Sequence, residues 1–251
     1  MADASYGPKV YRQQGGDKLV VAAGGQIDQT AIVAYFTDFL GDALEDELLA
    51  GVGSGTGNAV ALSVGVNGRC EIKTSSADAA IGANGSSLSL GALNWRADQG
   101  NLMMEARVQI DNIAASMIFI GFTDALASTV EAPIFLNGAD IDSDADNACG
   151  VIYDTDGTTA QWCHGGVKAT VDTVPDYSGT APVNATWATV RVEVSAAGAV
   201  QGFIDGVPIG DPVANAVTIT TPLCPIIFVA NRGGAVRNVL VDYLLVQAGR
   251  A

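Results

Sequence analysis

Few residues in this chain of 251 could carry covalent or metal chemistry, and their spacing narrows what that chemistry would be. The one histidine, His164, follows Cys163 directly. Without a second histidine it furnishes neither a catalytic triad nor the usual zinc site, so Cys149, Cys163 and His164 around zinc is the one conceivable cluster. The four cysteines, Cys70, Cys149, Cys163 and Cys224, show no paired spacing and read as buried thiols that behave as small hydrophobes. Glycoside hydrolysis needs two carboxylates flanking the bond to be cut. The candidates Glu105 with Asp111, and Glu193 with Asp205, stand singly at strand or turn positions where a solvated charge is the ordinary reading, and the chain is expected not to be an enzyme.

Carboxylates also alternate from Asp140 to Asn147 (DIDSDADN), a spacing that can converge on a hard cation such as calcium. Ala145 and Val151 occupy the sixth and twelfth positions, which excludes an EF-hand. What remains is a looser calcium site from Asp142, Asp144 and Asp146, with Asp154 or Asp156 as further donors, or else a solvated acidic loop. The glycine-rich GVGSGTG of residues 51–57 lacks the Lys-Ser/Thr ending of a phosphate loop and reads as a plain loop. Sugar sites are shallow and combine loop polar groups with an exposed aromatic. Trp162, Tyr177, Asn231 and Arg232 are the candidate glycan-binding residues; Tyr153 and Trp187 are further aromatics, with Trp187 expected to be buried.

The elements that must position these residues are strands. From Trp187 to Gly210 the chain reads WATVRVEVSAAGAVQGFIDGVPIG, with Val190, Val192 and Val194 on one face and Thr189, Arg191, Glu193 and Ser195 on the other. Turns at Ala196-Ala197-Gly198 and Asp205-Gly206 make this a strand–hairpin–strand–hairpin unit. Asn67-Gly68 and Asn84-Gly85 repeat the turn signal, the former between strands predicted at 59–66 and 68–74. NLMMEARVQI (101–110) alternates, whereas SMIFIGF (116–122) is nearly all apolar, as expected of a strand buried on both faces. Residues 148–154, 161–171, 226–229 and 239–246 complete the predicted strands, and 42–49 is a helical turn or irregular loop. The expected fold is all-β, an antiparallel two-sheet jelly-roll sandwich over residues 31–251.

Composition agrees: 49% hydrophobic, 16% charged and 30 glycines suit many short strands and tight turns. A formal net charge of −15 makes nucleic acid a poor partner. The sequence has no run of 18 apolar residues and no signal-peptide pattern, so membrane association and export are not expected and synthesis in a reducing cytoplasm is. Residues 1–30 differ in texture: Tyr6, Pro8, Val10, Tyr11, Leu19, Val20 and Val21 are short apolar pieces separated by glycines, which reads as an extended arm, either flexible or strand-forming and ordered against a neighbour.

The order of Phe36-Thr37-Asp38-Phe39-Leu40-Gly41, Leu93-Asn94-Trp95, Met104-Glu105-Ala106-Arg107-Val108, Ile120-Gly121-Phe122-Thr123-Asp124, Val190 to Gly206 and Val241-Asp242-Tyr243 resembles the concanavalin A-like lectin/glucanase sandwich, particularly its versions in tailed-bacteriophage virion proteins. The leader MADASYGPKVYRQQGGDKLVVAAGGQI is similar to that of phage head proteins. The resemblance implies a capsid decoration, cement or head-fibre protein on the virion surface. The arm would bind the major capsid protein, and the protein would be a homotrimer by analogy. The alternative is a lectin-like virion module that binds a host surface glycan. This fold hosts lectins, glycosidases and inert modules alike, so the resemblance does not choose among activities.

Overall fold

Alternation becomes burial in the strand from Trp187 to Val194: Val190 and Val192 are fully buried and Val194 nearly so, while Arg191 and Glu193 reach solvent. The computed structural model describes residues 10–12, 19–21, 32–65, 68–76, 81–126 and 132–250. In chain order its strands begin with β1 (Val10–Arg12), β2 (Leu19–Val21), β3 (Ile32–Thr37), β4 (Leu49–Val52), β5 (Ala59–Leu62), β6 (Cys70–Lys73) and β7 (Ser86–Ser89). There follow β8 (Leu102–Ile110), β9 (Ser116–Thr123), β10 (Ile134–Asn137), β11 (Asp140–Ser143), β12 (Asn147–Asp154) and β13 (Cys163–Lys168). The last are β14 (Val171–Asp172), β15 (Asp176–Tyr177), β16 (Trp187–Val194), β17 (Val200–Ile204), β18 (Val207–Pro208), β19 (Cys224–Asn231) and β20 (Asn238–Gly249).

Sixteen of these strands form two antiparallel sheets packed face to face, and β10 pairs with β11 apart from them. Sheet I runs β14-β13-β12-β9-β19-β7-β4 with β15 also on β13; sheet II runs β18-β17-β16-β8-β20-β6-β5 with β3 also on β20. Between them lies the main core, to which sheet I contributes Ile118, Ile120, Phe122, Val151, Tyr153 and Ile227, and sheet II Met104, Val108, Val190, Val192, Val239 and Val246. The expected jelly-roll-type sandwich is the observed one.

β9 is buried along its whole length because sheet I is covered twice. Ile118, Ile120 and Phe122 face the main core, while Met117 and Phe119 face a second cluster built with Ile134, Leu136, Ile141, Ile152 and Phe228. The β10–β11 hairpin roofs that side. Gly121 on β9 stands opposite Gly150 on β12, and an added Cβ at Gly150 would lie 2.4 Å from the Ile120 carbonyl oxygen and 2.7 Å from the Phe119 ring. Glycine is required there for the strands and the ring to approach.

β5 and β6 pair as predicted, their last partners being Leu62 and Cys70, and Asn67 of the expected Asn67-Gly68 turn lies outside the described residues. Two local expectations change. Asn84-Gly85 makes no hairpin: Asn84 ends the helical turn Ile81–Asn84, and the Phe228 ring lies against Gly85, 2.5 Å from where a Cβ would sit. The acidic run Asp140–Ser143, expected to be a loop, is strand β11. The Asp205-Gly206 turn is as expected, with positive φ at both residues (50° and 79°).

Tyr6 and Pro8 lie outside the described residues, whereas Val10, Tyr11, Leu19, Val20 and Val21 fall in β1 and β2. Among the described residues these two strands form a separate two-stranded sheet, with Val10 opposite Val21.

Candidate functional site

Among the described residues sheet I is roofed while the outer face of sheet II is not, and side chains of mixed chemistry line up across it. One row crosses five strands, Phe203–Arg191–Glu105–Leu245–Phe36, each residue in register with the next. At about 4.8 Å per strand it is roughly 19 Å long. The next row holds Gln201, Glu193, Met103 and Gln247. Here a groove of about 630 Å³ opens, bounded also by Asn101, Ser195 and Pro212.

A bulge in β20 adds to this face. The register against β8 shifts between Val241 and Tyr243, placing two consecutive partly exposed residues, Asp242 and Tyr243, between buried Val241 and Leu244. Asp242 Oδ2 accepts a hydrogen bond from Arg107 Nη1 at 2.7 Å, and the Tyr243 hydroxyl donates to Glu105 Oε1 at 2.8 Å. Partial burial and this bond to a carboxylate push the Tyr243 hydroxyl up to about 12.

Both arginines of the face are stacked. The Arg107 guanidinium carbon sits 4.8 Å from the centre of the Trp187 ring, and that of Arg191 4.2 Å from the centre of Phe203. Arg191 Nε lies 3.1 Å from Glu193 Oε1 but off the line of a hydrogen bond, a charge contact only. Glu105, opposite Arg191 across the strand pair, and Glu193, two residues along β16, are diagonal neighbours roughly 7 Å apart. The structure thus pairs Glu105 with Glu193, where spacing had suggested Asp111 and Asp205. Asp205 instead caps its turn, its Oδ1 accepting from Thr189 N at 2.8 Å.

The residues proposed from sequence for a sugar go elsewhere. Trp162 is 1% exposed, its ring 5.7 Å from that of Tyr153 in the main core, and so offers no stacking face. Tyr153 is buried beside it and donates to the Ile113 carbonyl. Asn231 is 1% exposed and ties loops together: Nδ2 donates to the Ser75 carbonyl while Oδ1 accepts from Gly233 and Gly234 N–H. Arg232 is spent on buried Asp154, with Nε 2.9 Å from Oδ1 and Nη2 on Oδ2, and its Nη1 is 3.1 Å from Asp156. Tyr177, half-buried in β15 opposite Cys163, has its hydroxyl shielded from solvent. Trp187, expected inside, is only partly buried and serves as the platform for Arg107.

The metal candidates are not gathered either. Asp142 lies in β11 opposite Phe135, Asp144 and Asp146 follow it in a bend, and among the described residues no three His, Cys, Asp or Glu side chains group as a ligand set. Cys163 and His164 point to opposite faces of β13, Cys163 into the second cluster with its register partner Ile152, His164 toward the main core beside Val151. Cys149 is on the main-core side, where burial pushes its thiol up to about 12.

What sequence reasoning missed is Arg191, Gln201, Phe203 and Gln247 as one surface. The outward positions of β8 and β16 were legible as wet. That their face stays bare while the other sheet is roofed depends on where the β10–β11 hairpin folds.

No protein-family model and no curated protein matches the chain by sequence. Solved structures match it in three dimensions. The carbohydrate recognition domain of Emp47p has a TM-score of 0.56 at 10% identity, over 90% of this chain and 100% of that one. Peanut lectin, solved with a nine-residue peptide, gives 0.52 at 13% over 86% and 97%. The β-glucanase of Bacillus licheniformis gives 0.51 at 10% over 85% and 97%. At such identities the likeness is one of fold, and the chain shares the concanavalin A-like two-sheet sandwich of lectins and glucanases.

Proposed function

We propose that this protein binds carbohydrate on the open face of sheet II. The observation that carries this reading is the row of arginine, carboxylate, amide and aromatic side chains, uncovered among the described residues, beside a groove of about 630 Å³ on a sandwich whose other sheet is covered. Sugars present hydroxyls for amide and charged partners and C–H faces for aromatic rings, and this surface supplies both. Similarity in fold to a carbohydrate recognition domain, a lectin and a glucanase supports the same reading. The role is binding without cleavage: a glycosidase acid is a carboxyl shut away from water, and the Glu193 side chain is 48% exposed.

A glycan array and titration calorimetry on the full chain, with and without calcium, test the reading. Expected is micromolar-to-millimolar binding of at least one polysaccharide, weakened at least tenfold by Arg191→Ala or Gln247→Ala, with no release of reducing ends. Absence of binding to every glycan would overturn it.

A second reading concerns where the sandwich is carried. The separate β1–β2 sheet favours a docking arm for a partner, which on the virion reading is the major capsid protein. Deleting residues 1–30 should abolish co-sedimentation with capsids while the sandwich stays folded; undiminished co-sedimentation would end this reading.

A further inference from the structure

The carbohydrate reading leaves open which glycans the groove accepts, and the charges around Arg191 bear on that. Among the described residues lining the groove Arg191 is the one cation. Its guanidinium is stacked on Phe203 and touched by Glu193, and Glu105 stands opposite it in register on β8, so the charge around it is already negative. The other arginine of the face, Arg107, is engaged by Asp242 and Trp187. The whole chain carries a formal charge of −15, which adds a repulsive field for any polyanion.

Resting on that reading, we infer that the groove is selective for uncharged glycans, and that Glu193 is the specificity-determining residue because it occupies the arginine that a uronate carboxylate would need. Arginine recognises carboxylates well when its donor edge is available, and a carboxylate already beside it both competes and repels. Glu193 rather than Glu105 sets the choice: it lines the groove, whereas Glu105 is held by the Tyr243 hydroxyl.

The test measures wild type and Glu193→Gln against backbone-matched probes: β-1,4-mannan with polymannuronate, xylan with glucuronoxylan, and mixed-linkage β-glucan as a further uncharged chain. Melting temperature confirms that the variant is folded. Wild type is expected to bind at least one uncharged polysaccharide, and to bind each acidic one measurably more weakly than its uncharged counterpart. In the variant the acidic-to-neutral affinity ratio should rise roughly threefold or more, the effect of removing one charge at a separation of about 7 Å in a water-like medium. Wild-type binding of an acidic polysaccharide as tight as that of its uncharged counterpart, or an unchanged ratio in Glu193→Gln, overturns the inference while leaving carbohydrate binding intact. If no probe of either charge binds, both fall together.

Discussion

Replacing Arg232 by alanine should be among the most damaging single changes in the sandwich, and the damage should depend on pH. Asp154 is fully buried at the end of β12, where its carboxylate accepts from Arg232, from Leu136 N at 2.9 Å and from Asp156 N at 3.1 Å. Through these bonds it joins the β10–β11 hairpin, the end of β12 and the turn after β19. Burial pushes the Asp154 carboxyl up and Arg232 holds it partly back. Arg232→Ala leaves a buried carboxylate without its counter-ion, a change that costs about 3–5 kcal/mol. For a domain of this size that is a drop of roughly 6–20 °C in melting temperature. Asp156, 52% exposed, adds little. In the variant the native state binds the Asp154 proton more tightly than the unfolded chain, whose aspartates titrate near pH ~3.9. The native state then gains on the unfolded one as pH falls through the raised native value, so the deficit relative to wild type shrinks on acidification. Urea denaturation of both proteins at pH ~7.5 and ~4.5 provides the measurement. A deficit below about 1 kcal/mol at the higher pH, or an equal deficit at both, would refute the reasoning. Removing both charges, Asp154→Asn with Arg232→Met, should cost less than Arg232→Ala alone.

Other changes probe different parts of the fold. Gly150→Ala should lose about 1–3 kcal/mol in chemical denaturation, because its Cβ would meet the Ile120 carbonyl and the Phe119 ring; a neutral result would mean that β9 and β12 separate easily. Gly206→Ala forces a side chain into φ +79° and should cost about 1–2 kcal/mol, whereas Gly157→Ala, at a glycine without positive φ, meets only side-chain and carbonyl crowding and should show a different dependence on neighbouring Leu136. Burial holds the His164 imidazole below its ordinary range, against the pull of Asp176 and of its bond to the Asp211 carbonyl. The unfolded chain therefore takes up that proton first, and wild-type stability should decline as pH falls below about 6.5, more steeply than in His164→Gln. Equal slopes in the two proteins would show that His164 does not contribute.

The sequence by itself determined the long core strands and their inward faces. Val190, Val192 and Val194 alternate with Arg191 and Glu193, and a period of two can bury only one of those sets. The Asp205-Gly206 turn was equally legible, since two positive φ angles in succession suit that pair. Asn84-Gly85 carries similar letters but serves the Phe228 ring, a contact made 143 residues away that no local rule contains. The apolar run of β9 announced double burial without saying what covers its outer side. Only the tertiary structure decided that the β10–β11 hairpin folds over sheet I and leaves sheet II open. Sheet packing put Trp162 inside the main core, loop contacts took up Asn231, Asp154 took up Arg232, and strand pairing brought Arg191, Glu105, Glu193 and Gln247 together from three strands. A residue's type fixes what it can bond to, but which partner it meets depends on long-range strand pairing and on which face is covered, and neither is a local property of the chain.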